Sequence, residues 1–112
     1  MQTKKYAMLR IHDVMLEVLC DIRPLKAAIA KNDANLADQL TRAATSVLLN
    51  VAEGSGSFGG VRRARYRTAL GSSRETLSSL RGAEALGYID RLPEHIHAKL
   101  NHIIGTLVRV SK

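Results

Sequence analysis

From Met8 onward, apolar side chains recur in steps of three and four: Met8, Ile11, Met15, Val18, Ile22, Leu25 and Ile29. That spacing lines one face of a helix and predicts an amphipathic segment with a single buried seam. Pro24 lies inside the seam and has no backbone donor, which predicts a kink or a break with the apolar phase kept beyond it. A turn over residues 31–35 ends the segment. Asn35, with Asp38 in the first turn, is the expected N-cap of a second helix that turns Leu36, Leu40, Ala43, Ala44, Val47, Leu48 and Val51 inward and stops near Gly54. After a loop from Ser55 to Gly59, a third helix presents Tyr66, Leu70, Ser73, Leu77, Leu80 and Glu84, and Gly87 reads as its stop. Asp90 to Pro93 predicts the last helix start, since Asp caps and proline is tolerated in a first turn; Leu92, Ile96, Leu100, Ile103, Leu107 and Val110 form its seam. No strand alternation competes. Short connections favour antiparallel neighbours, so the pattern predicts an all-α fold, an up-down-up-down antiparallel four-helix bundle, as a single domain over residues 1–112.

A second row on the first helix, Leu9, His12, Leu16 and Leu19, lies outside the main seam, and Ile104 and Val108 broaden the apolar face of the last helix. Because these residues repeat at helical spacing, they predict an oligomer interface carried by Leu9, Leu16 and Leu19; the plainer reading is a few isolated surface leucines.

Composition narrows the picture. A hydrophobic content of 46% in 112 residues is enough for one core. Cys20 is the single cysteine, which excludes an intramolecular disulfide and any cysteine-based zinc cluster, and it is expected in the core or at an interface. There is no signal-peptide pattern and no apolar run of bilayer length, so no membrane association is expected and the cytoplasm is the expected compartment.

The net charge of +7 adds the main chemical feature. Between Asn50 and Arg74 no acidic residue follows Glu53, whereas Arg62, Arg63, Arg65, Arg67 and Arg74 crowd the start and middle of the third helix. Positive charge at a helix start opposes the macrodipole, so helix stability alone does not account for the cluster. Arg67, Arg74 and Arg81 recur every seven residues along one stripe. A stripe of this kind is either a solvated or subunit-paired face, or a surface that holds phosphates through strong, salt-sensitive contacts. The few aromatics, Tyr6, Tyr66, Tyr88 and Phe58, argue against base stacking as the main mode and favour backbone recognition of structured RNA or DNA.

Three further motifs change little. Asn50, Glu53 and Glu75 are expected to be partly buried and to act as structural polar residues that bond across helices or tie down the glycine loop; a paired-carboxylate site would need them to converge. Gly54, Gly56 and Gly59 match G-x-G-x-x-G, but a helix and not a strand precedes them, which removes the dinucleotide reading. Glu94 and His97 supply one Glu-x-x-His where a dinuclear carboxylate bundle needs two and two further glutamates, so no metal and no cofactor are expected, and His12, His95, His97 and His102 read as surface or interface residues.

The run Gln39-Leu40-Thr41-Arg42-Ala43-Ala44 through Ser46, then Asn50-Val51-Ala52-Glu53-Gly54-Ser55-Gly56, Ala69-Leu70-Gly71-Ser72 with Glu75, and Leu86-Gly87-Tyr88-Ile89, resembles the four-helix-bundle proteins encoded in 23S ribosomal RNA intervening sequences. The match is specific in the two middle elements and one of pattern only in the first and last helices. The resemblance implies a ring-like homo-oligomer, a pentamer, in bacterial cytoplasm. The accessory variability determinant of diversity-generating retroelements, which associates with nucleic acid and a reverse transcriptase, is similar in fold and basic charge alone; a reverse transcriptase partner is implied only by that distant analogy.

The sequence therefore predicts a non-catalytic homo-oligomeric bundle whose basic surface binds nucleic acid, RNA in preference, through Arg62, Arg63, Arg65, Arg67 and Arg74. The alternative is a structural or protein-interaction assembly with no nucleic-acid role, its arginines paired with acids across subunit interfaces. No nucleophile, base and orienting residue stand at a spacing that indicates an enzyme.

Overall fold

Five helices make up the fold in the computed structural model, which describes residues 2–112, with side chains from Lys4 onward: α1 (Gln2–Asp21), α2 (Arg23–Ala30), α3 (Ala34–Ser55), α4 (Gly59–Ala85) and α5 (Glu94–Val110). No strand occurs among the described residues. The fold is all-α as the periodicity predicts, with the first arm divided at Pro24. Pro24 occupies the first turn of α2, where a missing N–H costs nothing. Helical bonds run up to that point, from Ile22 N–H to Val18 O at 2.9 Å, and resume with Lys26 N–H to Ile22 O at 2.8 Å. The seam keeps its phase across the break: Met8, Ile11, Met15, Val18, Ile22 and Ile29 are all buried.

Helix ends correct two expectations. Asp33, not Asn35, caps α3: its extended backbone lets Oδ1 accept the Leu36 N–H at 2.9 Å. The helix thus starts earlier than the pattern indicated, and Asp38 falls outside its first turn. Pro93, not Asp90, stands at the N-cap of α5, with its carbonyl accepting from Ile96 and His97. The connection leading there is fastened from a distance, because Glu84 Oε2 accepts the Leu92 N–H at 2.9 Å. Gly87 does end α4. At φ +77° it lets its own N–H reach Glu84 O at 3.1 Å and the Tyr88 N–H reach Ala83 O at 2.9 Å, the two bonds of a Schellman motif.

Cross-helix bonds fix the antiparallel order. Ser46 and Ser72 join α3 to α4 through their hydroxyls at 2.8 Å, Arg67 reaches Ser111 just beyond α5, and Lys99 of α5 meets Asp21 of α1 at 2.7 Å. The bundle measures 44 × 23 × 20 Å. Its core is aliphatic between α1, α3 and α5, where Leu40, Val47, Leu100, Ile103 and Leu107 are fully enclosed. The α3–α4 seam is different in kind. Ala69, Ser73, Thr76 and Ala83 are buried there, whereas Leu70 and Leu77, read from the pattern as core, are only half-buried. Small side chains let the two helices approach closely, and the buried hydroxyls bond back to their own helix, Ser73 to Leu70 O and Thr76 to Ser72 O, both at 2.8 Å.

Cys20 is exposed, which corrects the core reading. Of the second apolar row, Leu9 and Leu16 are exposed, and Leu19 packs partly against the core. No helix among the described residues is long and apolar enough to cross a membrane.

Candidate nucleic-acid interface

Antiparallel packing brings four chain segments to the glycine-loop end of the bundle: the start of α1, the end of α3, the start of α4 and the end of α5. Residues 1–12, 46–72 and 104–112, which make up this half, contain nine Lys and Arg and a single acid, Glu53. The other half holds the remaining eight bases and nine acids, close to neutrality. The net positive charge of the protein is therefore concentrated at one end.

Four of the arginines singled out by the sequence, Arg62, Arg63, Arg65 and Arg67, lie together in the first turns of α4. Arg74 stands apart, about 10 Å farther along the axis and in the balanced half. Each of the four has its own surroundings. Arg65 pairs with Glu53 at 3.0 Å, with both side chains about half exposed. Arg62 donates from Nε to Gly54 O at 3.3 Å, and its guanidinium stands 5.5 Å from the centre of the Phe58 ring. Arg67 donates from Nε to Ser111 O at 3.3 Å. Gly54 and Ser111 lie at the C-terminal ends of α3 and α5, where orphan carbonyls carry the negative pole of the macrodipole. The opposition between arginine and the start of α4 is thus offset by the neighbouring helix ends, a term invisible to a reading of α4 by itself. These bonds use one donor of five on each guanidinium, leaving the Nη groups for other acceptors. Arg63 and Arg74 are exposed and have no acidic partner among the described residues.

The polar residues of the Asn-Val-Ala-Glu-Gly run serve mainly the α3–α4 seam. Asn50 donates from Nδ2 to Ser46 O at 2.9 Å and to Ser46 Oγ at 3.1 Å, extending the Ser46–Ser72 bridge; its Oδ1 is buried with no partner among the described residues. Gly54 is required by packing. A Cβ there would stand 2.6 Å from Tyr66 Cδ1 and closer still to Cε1, so only glycine lets the buried tyrosine ring lie against α3. Glu53 and Glu75 are both exposed, which corrects the expectation of partial burial. They do not converge, since Glu53 meets α4 at Arg65, about 15 Å along the axis from Glu75. Among the described residues no three His, Cys, Asp or Glu side chains gather as metal ligands. His95 of the Glu-x-x-His segment lies 3.7 Å from Asp21 instead.

Two features of this end were not singled out in the sequence. Lys4, Lys5 and Arg62 border a cleft of about 420 Å³ whose buried floor is Met8 and Tyr66, with Leu9 and Ser55 at its side. Phe58, beside Arg62, is 81% exposed. The convergence of Lys4 and Lys5 with the arginines follows from laying the first and third predicted helices antiparallel, a signal the chain does contain. The exposure of Phe58 has no such signal, because an apolar residue before a helix reads equally well as a hydrophobic anchor. Chemically, the end offers clustered guanidinium and ammonium donors around an apolar cleft, an arrangement suited to a polyanion that also carries flat apolar groups.

Comparison with known proteins agrees with this fold. A profile of the 23S rRNA-intervening sequence proteins matches residues 9–109. The crystal structure of a protein of unknown function from the S23 ribosomal protein family of Bacteroides thetaiotaomicron is similar with a TM-score of 0.73, at 21% identity over 91% of this chain and 98% of that one. None of the curated proteins matches the chain. With the profile spanning nearly the whole bundle, the chain belongs to the family of 23S rRNA-intervening sequence proteins.

Proposed function

We propose that this protein binds nucleic acid, RNA in preference, through the basic end of the bundle, and that it does so without catalysis. The observation that carries the reading is the segregation of charge: nine bases against one acid in the glycine-loop half, and near balance in the other. Such a surface attracts phosphate chains over several ångströms and gains affinity by releasing their counterions. Arg63 is free for a phosphate, Arg62 and Arg67 retain their Nη donors, and Lys4 and Lys5 add exposed charge beside Arg62 at the cleft. The half-paired Arg65 contributes less, and Arg74 touches only a strand that runs down α4.

Self-association in the cytoplasm is part of the same proposal, with the pentamer implied by family resemblance as its stoichiometry. Its support is the row of Leu9 at 54% and Leu16 at 43% exposure along α1, an apolar strip that a second copy would cover. Repetition of the basic end in a ring multiplies weak phosphate contacts by avidity. Leu16→Glu should lower the sedimenting mass and leave helicity unchanged; an unaltered mass rejects this interface.

Titration of labelled RNA at several salt concentrations tests the binding itself. Affinity should fall steeply with salt, and Arg63→Ala should flatten the log–log slope by about 0.7–0.9, the share of one phosphate. No binding at low salt rejects the reading and leaves an assembly module without a nucleic-acid role.

A further inference from the structure

Phe58 is the only phenylalanine of the chain and, among the described residues, the most exposed large apolar side chain. It stands at the N-cap of α4, in the middle of the basic end. One neighbour is defined: the Arg62 guanidinium, 5.5 Å from the ring centre. At 81% exposure most of the ring meets water. Arg62 also borders the cleft floored by Met8 and Tyr66, together with Lys4 and Lys5. Its volume of about 420 Å³ falls in the range of pockets that enclose small organic groups. Cations over an apolar floor, next to an open aromatic ring, exceed what phosphate contacts need. A duplex presents phosphates to such an end but keeps its bases stacked inside; an unpaired strand presents phosphates and free base faces together.

We propose that the basic end selects single-stranded over duplex nucleic acid, stacking an unpaired base on Phe58 and seating the adjoining nucleotide at the cleft between Arg62 and the Lys4–Lys5 pair. This deepens the binding reading above, on which it rests, and replaces backbone-only recognition with recognition of exposed bases. Stacking is indifferent to base identity, so RNA and DNA strands of one sequence should both use Phe58, and any preference for RNA must come from contacts elsewhere.

The test uses a short unstructured RNA, the DNA of the same sequence, and the RNA annealed to its complement, each labelled and titrated against the full chain and its Phe58→Ala and Phe58→Trp variants. Because Phe58 is outside the core, both variants should keep the helicity of the parent. Single strands should bind more tightly than the duplex at equal salt. Phe58→Ala should weaken single-strand binding about 5- to 100-fold with the salt slope unchanged, and should leave duplex binding as it was. Phe58→Trp should restore affinity, and its indole, in a chain with no other tryptophan, should be quenched by the single strand and not by the duplex. Equal binding of strand and duplex with no effect of Phe58→Ala overturns this inference and leaves phosphate binding standing. Loss of affinity in Phe58→Ala without quenching in Phe58→Trp overturns stacking as its cause. Failure of every nucleic acid to bind at low salt overturns both proposals.

Discussion

At the end of the bundle where α1 passes into α2, charges are balanced in number and some meet directly: Lys99 lies 2.7 Å from Asp21 and 3.1 Å from Glu17, and even the shallow cleft there is bordered by one acid and one base, Asp90 and Arg91. At the glycine-loop end the only acid is Glu53, and its partner Arg65 is one base among nine. The two ends are built from the same kind of helix, yet one carries acids and bases in nearly equal number and the other carries almost only bases, with little acid of its own to meet them. Self-repulsion at the basic end must be offset, and what lies beneath it is packing: Tyr66 is 3% exposed and rests on Gly54, with Met8 beside it at the cleft floor. Helix C-termini holding Arg62 and Arg67 add to this.

If packing holds the basic end, Tyr66→Ala should give the largest loss of stability, about 3–5 kcal/mol as for other buried aromatics, and denaturant unfolding should show that loss at low and high salt alike. A small loss would mean that the basic end is not held in this way. Gly54→Ala pushes a methyl group into the same ring and should cost about 1–3 kcal/mol, a loss that Tyr66→Ala in the same chain should largely abolish. At the matched end, Asp33→Ala removes the cap of α3 and should cost about 1 kcal/mol, measurable by thermal unfolding.

The smallest effect belongs to Lys99, where hydrogen bonds to Asp21 and then to Glu17 raise the ammonium pKa above its ordinary 10.5. The folded state therefore holds this proton more tightly than the unfolded chain does. Its contribution is complete below the unfolded value and is lost as pH rises through the folded one. The difference in melting temperature between the parent and Lys99→Met should accordingly be constant at neutral pH and shrink above pH 10.5. A difference that persists there would assign the effect to the methylene stem, not to charge.

The helices are legible because their seams are long and aliphatic, and every seam residue from Met8 to Ile22 is buried as its spacing predicts. Gly87 was legible because a positive φ after a helix is a local demand. The cap of α3 was not: Asp33 and Asn35 are both good caps two residues apart, and the choice depends on where the turn leaves the extended region. Ser73 is buried as its place in the seam predicts, but the inner face of α4 is legible only in part, because Thr76 is polar by composition and is satisfied by its own helix when buried. The arginine cluster was visible as charge, whereas the carbonyls of Gly54 and Ser111 that receive Arg62 and Arg67 become neighbours only through tertiary packing. Phe58 carried no pattern at all, since a single aromatic has no period.

The central claim is that charge left unmatched at one end of the bundle meets a phosphate chain. Its most direct measurement is the salt dependence of RNA affinity for two variants of equal charge loss, Lys4, Lys5 and Arg63 changed to Ala at the basic end, and Arg23, Lys31 and Arg91 changed to Ala at the other. The account predicts that the first lowers the log–log slope by about 2 and low-salt affinity on the order of 100-fold, while the second leaves the slope of the parent. Equal slopes for the two variants would contradict it.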